Sequence, residues 1–230
     1  MRGNRRTILK AGASLAAGAA LPFGFPAAAA RDKAEWHALA GEVKAEMAWA
    51  WDNYRERAWG KDEIKPVSGT YSSFPLKDRH VGLSLIEALD TLWLMGLDDR
   101  FAEGVAWVKA NADFAVDGDV SVFETNIRLV GGLLSAHLAS CDPQLLALAK
   151  DLADRLLPAF ETPTGIPYRT VNLKTGRPSK PDTSPADAGT FIAEWGTLSR
   201  LTGDPRYFEA AKLALVAVFR SRSPIGLLAT

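Results

Sequence analysis

Apolar and polar positions alternate along the chain in a way that marks helical pairs separated by two long irregular stretches. Over 34–59, Trp36, Leu39, Val43, Met47, Ala50 and Tyr54 recur at spacings of three and four, with Lys, Glu and Arg between them. Gly60 stops that pattern, and the aromatic set Trp36, Trp51, Tyr54 and Trp59 reads as core. A second helix over 82–95 carries Leu85, Leu89, Leu92 and Trp93 and closes at Gly96. A third opens at Asp98, a capping residue type, and carries Phe101, Val105 and Val108. The two form a helical hairpin with a short connection. A second pair follows. Val122, Ile127, Val130, Leu133 and Leu134 mark 121–138, and Leu145, Leu148, Leu152 and Leu156 mark 142–157, with Asp142 as cap and Pro143 in the first turn. The third pair, 189–201 and 205–219, is joined through Gly203, with Asp204 as cap and Pro205 in the first turn. Between these pairs, 61–81 has no period and reads as a loop. The stretch 158–187 is rich in Pro, Gly, Thr and Ser, with a short extended piece expected at 165–168. Loops of such length in a compact domain are uncommon unless functional or disordered.

Composition adds bounds. The chain has 230 residues, 47% of them hydrophobic and 23% charged, enough for one globular domain with a core. Lys plus Arg and Asp plus Glu both total 27, and no basic stripe stands out, which argues against nucleic acid as a partner. A single cysteine, Cys141, cannot form an internal disulfide. No His-Glu-x-x-His pattern is present, which removes the commonest zinc-hydrolase signature. Residues 1–30 read as a leader. Asn4-Arg5-Arg6-Thr7-Ile8-Leu9-Lys10 resembles a twin-arginine export motif, and small residues near Ala30 suit a signal peptidase. Pro22 and Pro26 interrupt the apolar run, so no stable membrane anchor is expected. The expected partner is the twin-arginine export machinery and the expected location periplasmic or secreted.

Chemistry concentrates between Asp119 and Gly132. Glu124 and Arg128 are four apart, so they share one helix face. One reading is a surface ion pair. The other is a sugar pocket, because acid, base, amide (Asn126) and aromatic (Phe123) crowd a loop-to-helix entry. Glu87 and Asp90 interrupt an apolar segment and read as a polar helix face with local pairing. His80 reads as exposed or locally hydrogen-bonded, and His137 as a polar residue at a helix end. Asp182 and Asp187 are loop acids without an assigned role.

Phe123-Glu124-Thr125-Asn126-Ile127-Arg128, followed by Gly131-Gly132-Leu133-Leu134, resembles the signature of the class I alpha-mannosidases, glycoside hydrolase family 47. Blocks on both sides extend the resemblance, among them Glu87-Ala88-Leu89-Asp90-Thr91-Leu92 and Ala193-Glu194-Trp195-Gly196-Thr197-Leu198. It implies an all-α fold, an incomplete (α/α)7 barrel or toroid of helical hairpins. Residues 31–230 would then form the N-terminal part of the catalytic domain, in truncated form. The implied activity is calcium-dependent, inverting hydrolysis of terminal alpha-1,2-linked mannose from oligosaccharides. Glu124 matches the family's acid, which acts through a water, and Arg128 and Glu194 match residues lining the mannose pocket. The general base and the threonine that holds Ca2+ match no position here, so the chain alone is expected to be inactive. The alternatives are a non-catalytic mannose-binding module and an inert helical one.

Overall fold

The structure, a computed structural model, describes residues 32–228; the expected leader lies outside the described residues. The chain divides into two compact units, one up to Tyr54 and one from Arg55 onward. What is described of the first unit is helical and belongs to α1 (Lys33–Ala58), which continues past the boundary. Trp51 and Tyr54 are buried, with ring centroids 5.5 Å apart. Trp36 and Val43 are not; they are 58% and 57% exposed. The expected stripe is therefore core only at its C-terminal end. Periodicity reports that a helix face is apolar, not that anything covers it.

In the second unit, 61–81 is not the irregular loop that the absence of a period suggested. β1 (Glu63–Lys65) pairs antiparallel with β2 (Thr70–Ser72), turning at Gly69 with φ 67°. Three-residue strands are too short to show a period. Asp62, fully buried, then gathers the next segment. Its carboxylate accepts from the backbone N–H groups of Phe74 (2.9 Å), Val81 (2.8 Å) and Leu83 (3.0 Å). His80, half-buried, places Nδ1 3.4 Å from the same carboxylate.

α2 (Leu83–Leu94) and α3 (Asp98–Asn111) form the first hairpin. The N-cap of α3 is Leu97, so Asp98 does not cap it as expected; Asp98 and Asp99 lie in the first turn, where the helix dipole favours negative charge. β3 (Asp119–Ser121) leads into α4 (Val122–Thr125), a π-helical turn over Asn126–Val130, and α5 (Gly131–Ser140). α6 (Pro143–Leu156) starts as expected: Asp142 accepts from the N–H of Gln144 at 2.9 Å, and Pro143 fills the first helical position. His137, at the end of α5, contacts the carbonyl of Asp142 through Nδ1 at 2.8 Å.

The chain then makes a 3-10 turn, Leu157–Phe160, and returns to β3 as β4 (Thr170–Asn172), which pairs with β5 (Pro178–Ser179). The extended piece therefore lies at 170–172 rather than 165–168. α7 (Pro185–Gly189), α8 (Ile192–Thr202) and α9 (Arg206–Arg220) follow. The N-cap of α9 is Pro205, one residue later than expected, although Asp204 still accepts from the N–H of Arg206 at 3.1 Å.

α2 packs on α3 and α5, α5 on α6, and α8 on α9. Leu85, Ile86, Leu89, Leu129, Leu133, Leu145, Leu152 and Trp195 are fully buried between them. Each such side chain contributes roughly 1.5–3 kcal/mol of apolar burial. The described architecture is an incomplete (α/α)7 barrel of helical hairpins with two small sheets added.

Candidate active site

Ser121 fixes how the chain enters the site. It is extended, and its hydroxyl accepts from the N–H of Glu124 at 3.2 Å, which starts the short helix α4. The helix then widens into the π-helical turn Asn126–Val130, which carries Arg128. Such turns are rare and cluster at functional sites.

Arg128 joins two carboxylates. Its Nε donates to Glu124 Oε2 at 2.7 Å, and its Nη1 donates to Glu87 Oε1 at 2.9 Å. The guanidinium carbon lies 5.7 Å from the centre of the Phe74 ring. All three charged side chains are half-buried. The hydrogen bond that Arg128 donates to Glu124 pushes its guanidinium above the usual range; burial opposes this, and Glu87 adds to it. At this exposure each ion pair contributes about 0–1 kcal/mol. The arrangement therefore serves orientation more than stability.

Glu194 approaches from the first turn of α8. Asn126, fully buried, donates through Nδ2 to Glu194 Oε2 at 3.2 Å. Asn126 Oδ1 and the hydroxyl of Thr125 are buried with no hydrogen-bond partner. Unsatisfied buried polar atoms are uncommon, and these two lie between Glu124 and Arg128 in sequence.

One of two adjacent glycines permits the close packing. A Cβ at Gly132 would stand 2.8 Å from Ile86 Cγ2 and 3.1 Å from the Ile86 carbonyl oxygen. The backbones of α2 and α5 therefore meet directly there, and the residue after Ile86 is Glu87. A Cβ at Gly131 would meet Glu194 Cγ at 3.6 Å, an ordinary contact.

Of the three residues singled out from sequence, Glu124 and Arg128 are bonded directly, and Glu194 is bonded to Asn126, which lies between them in sequence. Glu87 was missed as part of this group. Its pairing is not local but reaches a residue 41 positions away. The available signal was a carboxylate inside an apolar helix, which needs a partner when it is drawn inward. Asp182 is placed elsewhere, paired with Arg169 at 2.7 Å. Among the described residues no three His, Cys, Asp or Glu side chains come together as a metal site. The Glu87–Glu124 space already holds a guanidinium. These residues do not fit a calcium cage of six to eight oxygens.

The family model for "Glycosyl hydrolase family 47" matches residues 46–230. The chain belongs to glycosyl hydrolase family 47. It is 44% identical over 195 residues to a mannosyl-oligosaccharide 1,2-alpha-mannosidase of Arabidopsis thaliana, covering 81% of this chain and 34% of that relative. It is 46% identical over 203 residues to the human ER degradation-enhancing alpha-mannosidase-like protein 2, covering 80% of this chain and 34% of the relative. Among solved structures, an alpha-1,2-mannosidase from Trichoderma reesei superposes with a TM-score of 0.70 at 33% identity, over 80% of this chain and 41% of the other. The family 47 chain thus spans about a third of the length of the curated relatives it matches.

Proposed function

We propose that this chain carries the acid side of an inverting alpha-1,2-mannosidase, with Glu124 as the acid and Arg128 and Glu194 lining the mannose pocket. The observation that carries the reading is the Glu124–Arg128 pair at the π-helical turn, with Glu194 bonded to Asn126 of the same turn. In the proposed reaction a proton passes from Glu124, through a water, to the glycosidic oxygen as its bond to the anomeric carbon breaks. A second water adds to that carbon from the opposite face and yields its proton to a general base. Inverting enzymes hold the two carboxyl groups roughly 6.5–9.5 Å apart to admit that water. The base matches no residue of this chain. Arg128 has donors beyond those used by Glu124 and Glu87, and these suit sugar hydroxyls. Glu194 accepts from hydroxyls.

Calcium belongs to this proposal as a family property, and its place lies outside the described residues. A chelator is expected to leave the thermal midpoint of the purified chain unchanged, and a clear drop would reveal a calcium site in these residues. Export through a twin-arginine leader is likewise proposed. No helix among the described residues is long and apolar enough to cross a membrane. Replacing Arg5 and Arg6 by Lys, followed by cell fractionation, tests the leader; unchanged export would dismiss it.

The pocket is tested by saturation-transfer NMR with alpha-1,2-mannobiose at millimolar concentration. Binding that is lost in Arg128→Ala is expected. A folded chain that ignores the sugar, or one whose binding is indifferent to Arg128→Ala, would overturn the assignment. Mannose release is followed in the same samples, and none is expected from the chain alone, because the base is not among its residues.

A further inference from the structure

Arg128 is shared between two carboxylates that come from different hairpins, and the division of its donors is specific. Nε faces Glu124 at 2.7 Å and Nη1 faces Glu87 at 2.9 Å. The group contains two carboxylates and one guanidinium, so with both acids ionised it carries one net negative charge. One proton brings it to neutrality. If Glu124 takes that proton, Glu87 stays ionised and Arg128 keeps a charged partner. If Arg128 had Glu124 alone, every protonation would leave a half-buried guanidinium without a counter-charge, free to swing away.

The fold invests in this contact. Gly132 brings the α5 backbone against Ile86, which delivers Glu87 to the Arg128 side of the interface. Phe74 covers the guanidinium from a segment that buried Asp62 holds through the Phe74 N–H. Three elements thus restrain Arg128, and only one of them is the group that changes its proton.

We infer that Glu87 is a positioning residue, which holds Arg128 in a fixed orientation while Glu124 gains and loses its proton. This rests on the reading of Glu124 as the acid, but its geometric content can be tested without turnover. In Glu124→Gln the amide stands in for the protonated acid.

The experiment records the side-chain NMR signals of Arg128 in the purified chain, following rotation of its guanidinium through the Nη protons. Glu124→Gln alone is expected to leave that rotation slow, within about twofold of the parent, because Glu87 still holds Nη1. Glu87→Gln, alone or combined with Glu124→Gln, is expected to speed it by roughly three- to fivefold, the factor set by an ion pair of this exposure. Glu87→Asp, one methylene shorter but charged, is expected to fall between and guards against misfolding of the Gln variant. Rotation freed by Glu124→Gln alone, or unchanged by Glu87→Gln in a folded protein, would overturn the inference. Loss of the mannosidase reading would show separately, as absence of mannobiose binding with the Arg128 signals intact.

Discussion

At the scale of single residues, the chain distinguishes titratable groups that stabilise from those that orient. Tyr207 shows the first kind. It is fully buried, and its hydroxyl donates to Asp154 at 2.7 Å. Burial first, and the bond to Asp154 second, push its phenol up to about 12. The folded state therefore holds this proton more tightly than the unfolded chain. The stability it contributes is complete below the ordinary tyrosine value near pH 10 and is lost as pH rises towards about 12. Phenolate absorbance should show one late-titrating group that disappears in Tyr207→Phe, and that variant should lose roughly 1 kcal/mol at neutral pH. Glu124 is of the second kind. In a chain of the relatives' full length, Glu124→Gln is expected to lower kcat by about 100- to 10,000-fold with folding intact. Undiminished kcat would remove it from the acid role. Glu124 and Arg128 were legible because four-residue spacing forces two side chains onto one face. Glu87 was not, since a contact between different helices leaves no mark in local spacing.

Among elements, the approach of α2 to α5 decides whether that site can form. Gly132→Ala places a methyl group against the Ile86 backbone, and overpacking of this type costs about 1–3 kcal/mol. Gly131→Ala meets the Glu194 side chain and the Asn126 carbonyl oxygen only at ordinary contact distances, and the helix propensity of alanine, about 1 kcal/mol better than glycine, favours it. Urea unfolding should separate the two neighbours clearly, and equal midpoints would show that the helices do not meet at Gly132. The helices themselves were largely readable, because Leu145, Leu152 and Leu156 repeat on one face and Asp142 and Pro143 announce their start. The π-helical turn at Asn126–Val130 was not. Its apolar residues Ile127 and Val130, three apart, fit an ordinary helical period, which does not show the widening. The short strands β3 and β4 escaped notice for a related reason: they are defined by each other across a long loop.

For the whole molecule, the last helix leaves apolar surface in view. Phe219 is 56% exposed and Leu213 55% exposed on α9, with Ile225 and Leu227 exposed beyond it. Apolar surface of this kind promotes association. The purified chain is expected to bind a hydrophobic dye and to elute early at high concentration. Phe219→Glu should weaken both without lowering the unfolding midpoint, and dye binding that stays at the parent level would move the sticky face elsewhere. The hairpin architecture was accessible from the repetition of helix pairs alone. That these hairpins belong to an incomplete barrel was accessible only through the motif blocks, because an inner helix and a surface helix share the same period.

The return of β4 to β3 also sets a schedule. Ser121, which starts the acid-bearing helix, is registered against Thr170, and the N–H of Val122 is bonded to the carbonyl of Arg169 at 2.9 Å. Roughly fifty residues must therefore leave the ribosome after Ser121 before its strand has a neighbour. At about 5–20 residues per second this takes ~2–10 s. During that interval a nascent chain already has Glu87, Glu124 and Arg128, yet β3, which leads into the helix of Glu124, has no strand beside it. The motif is translated as one short run, but its frame is completed late, by a stretch with no chemistry of its own.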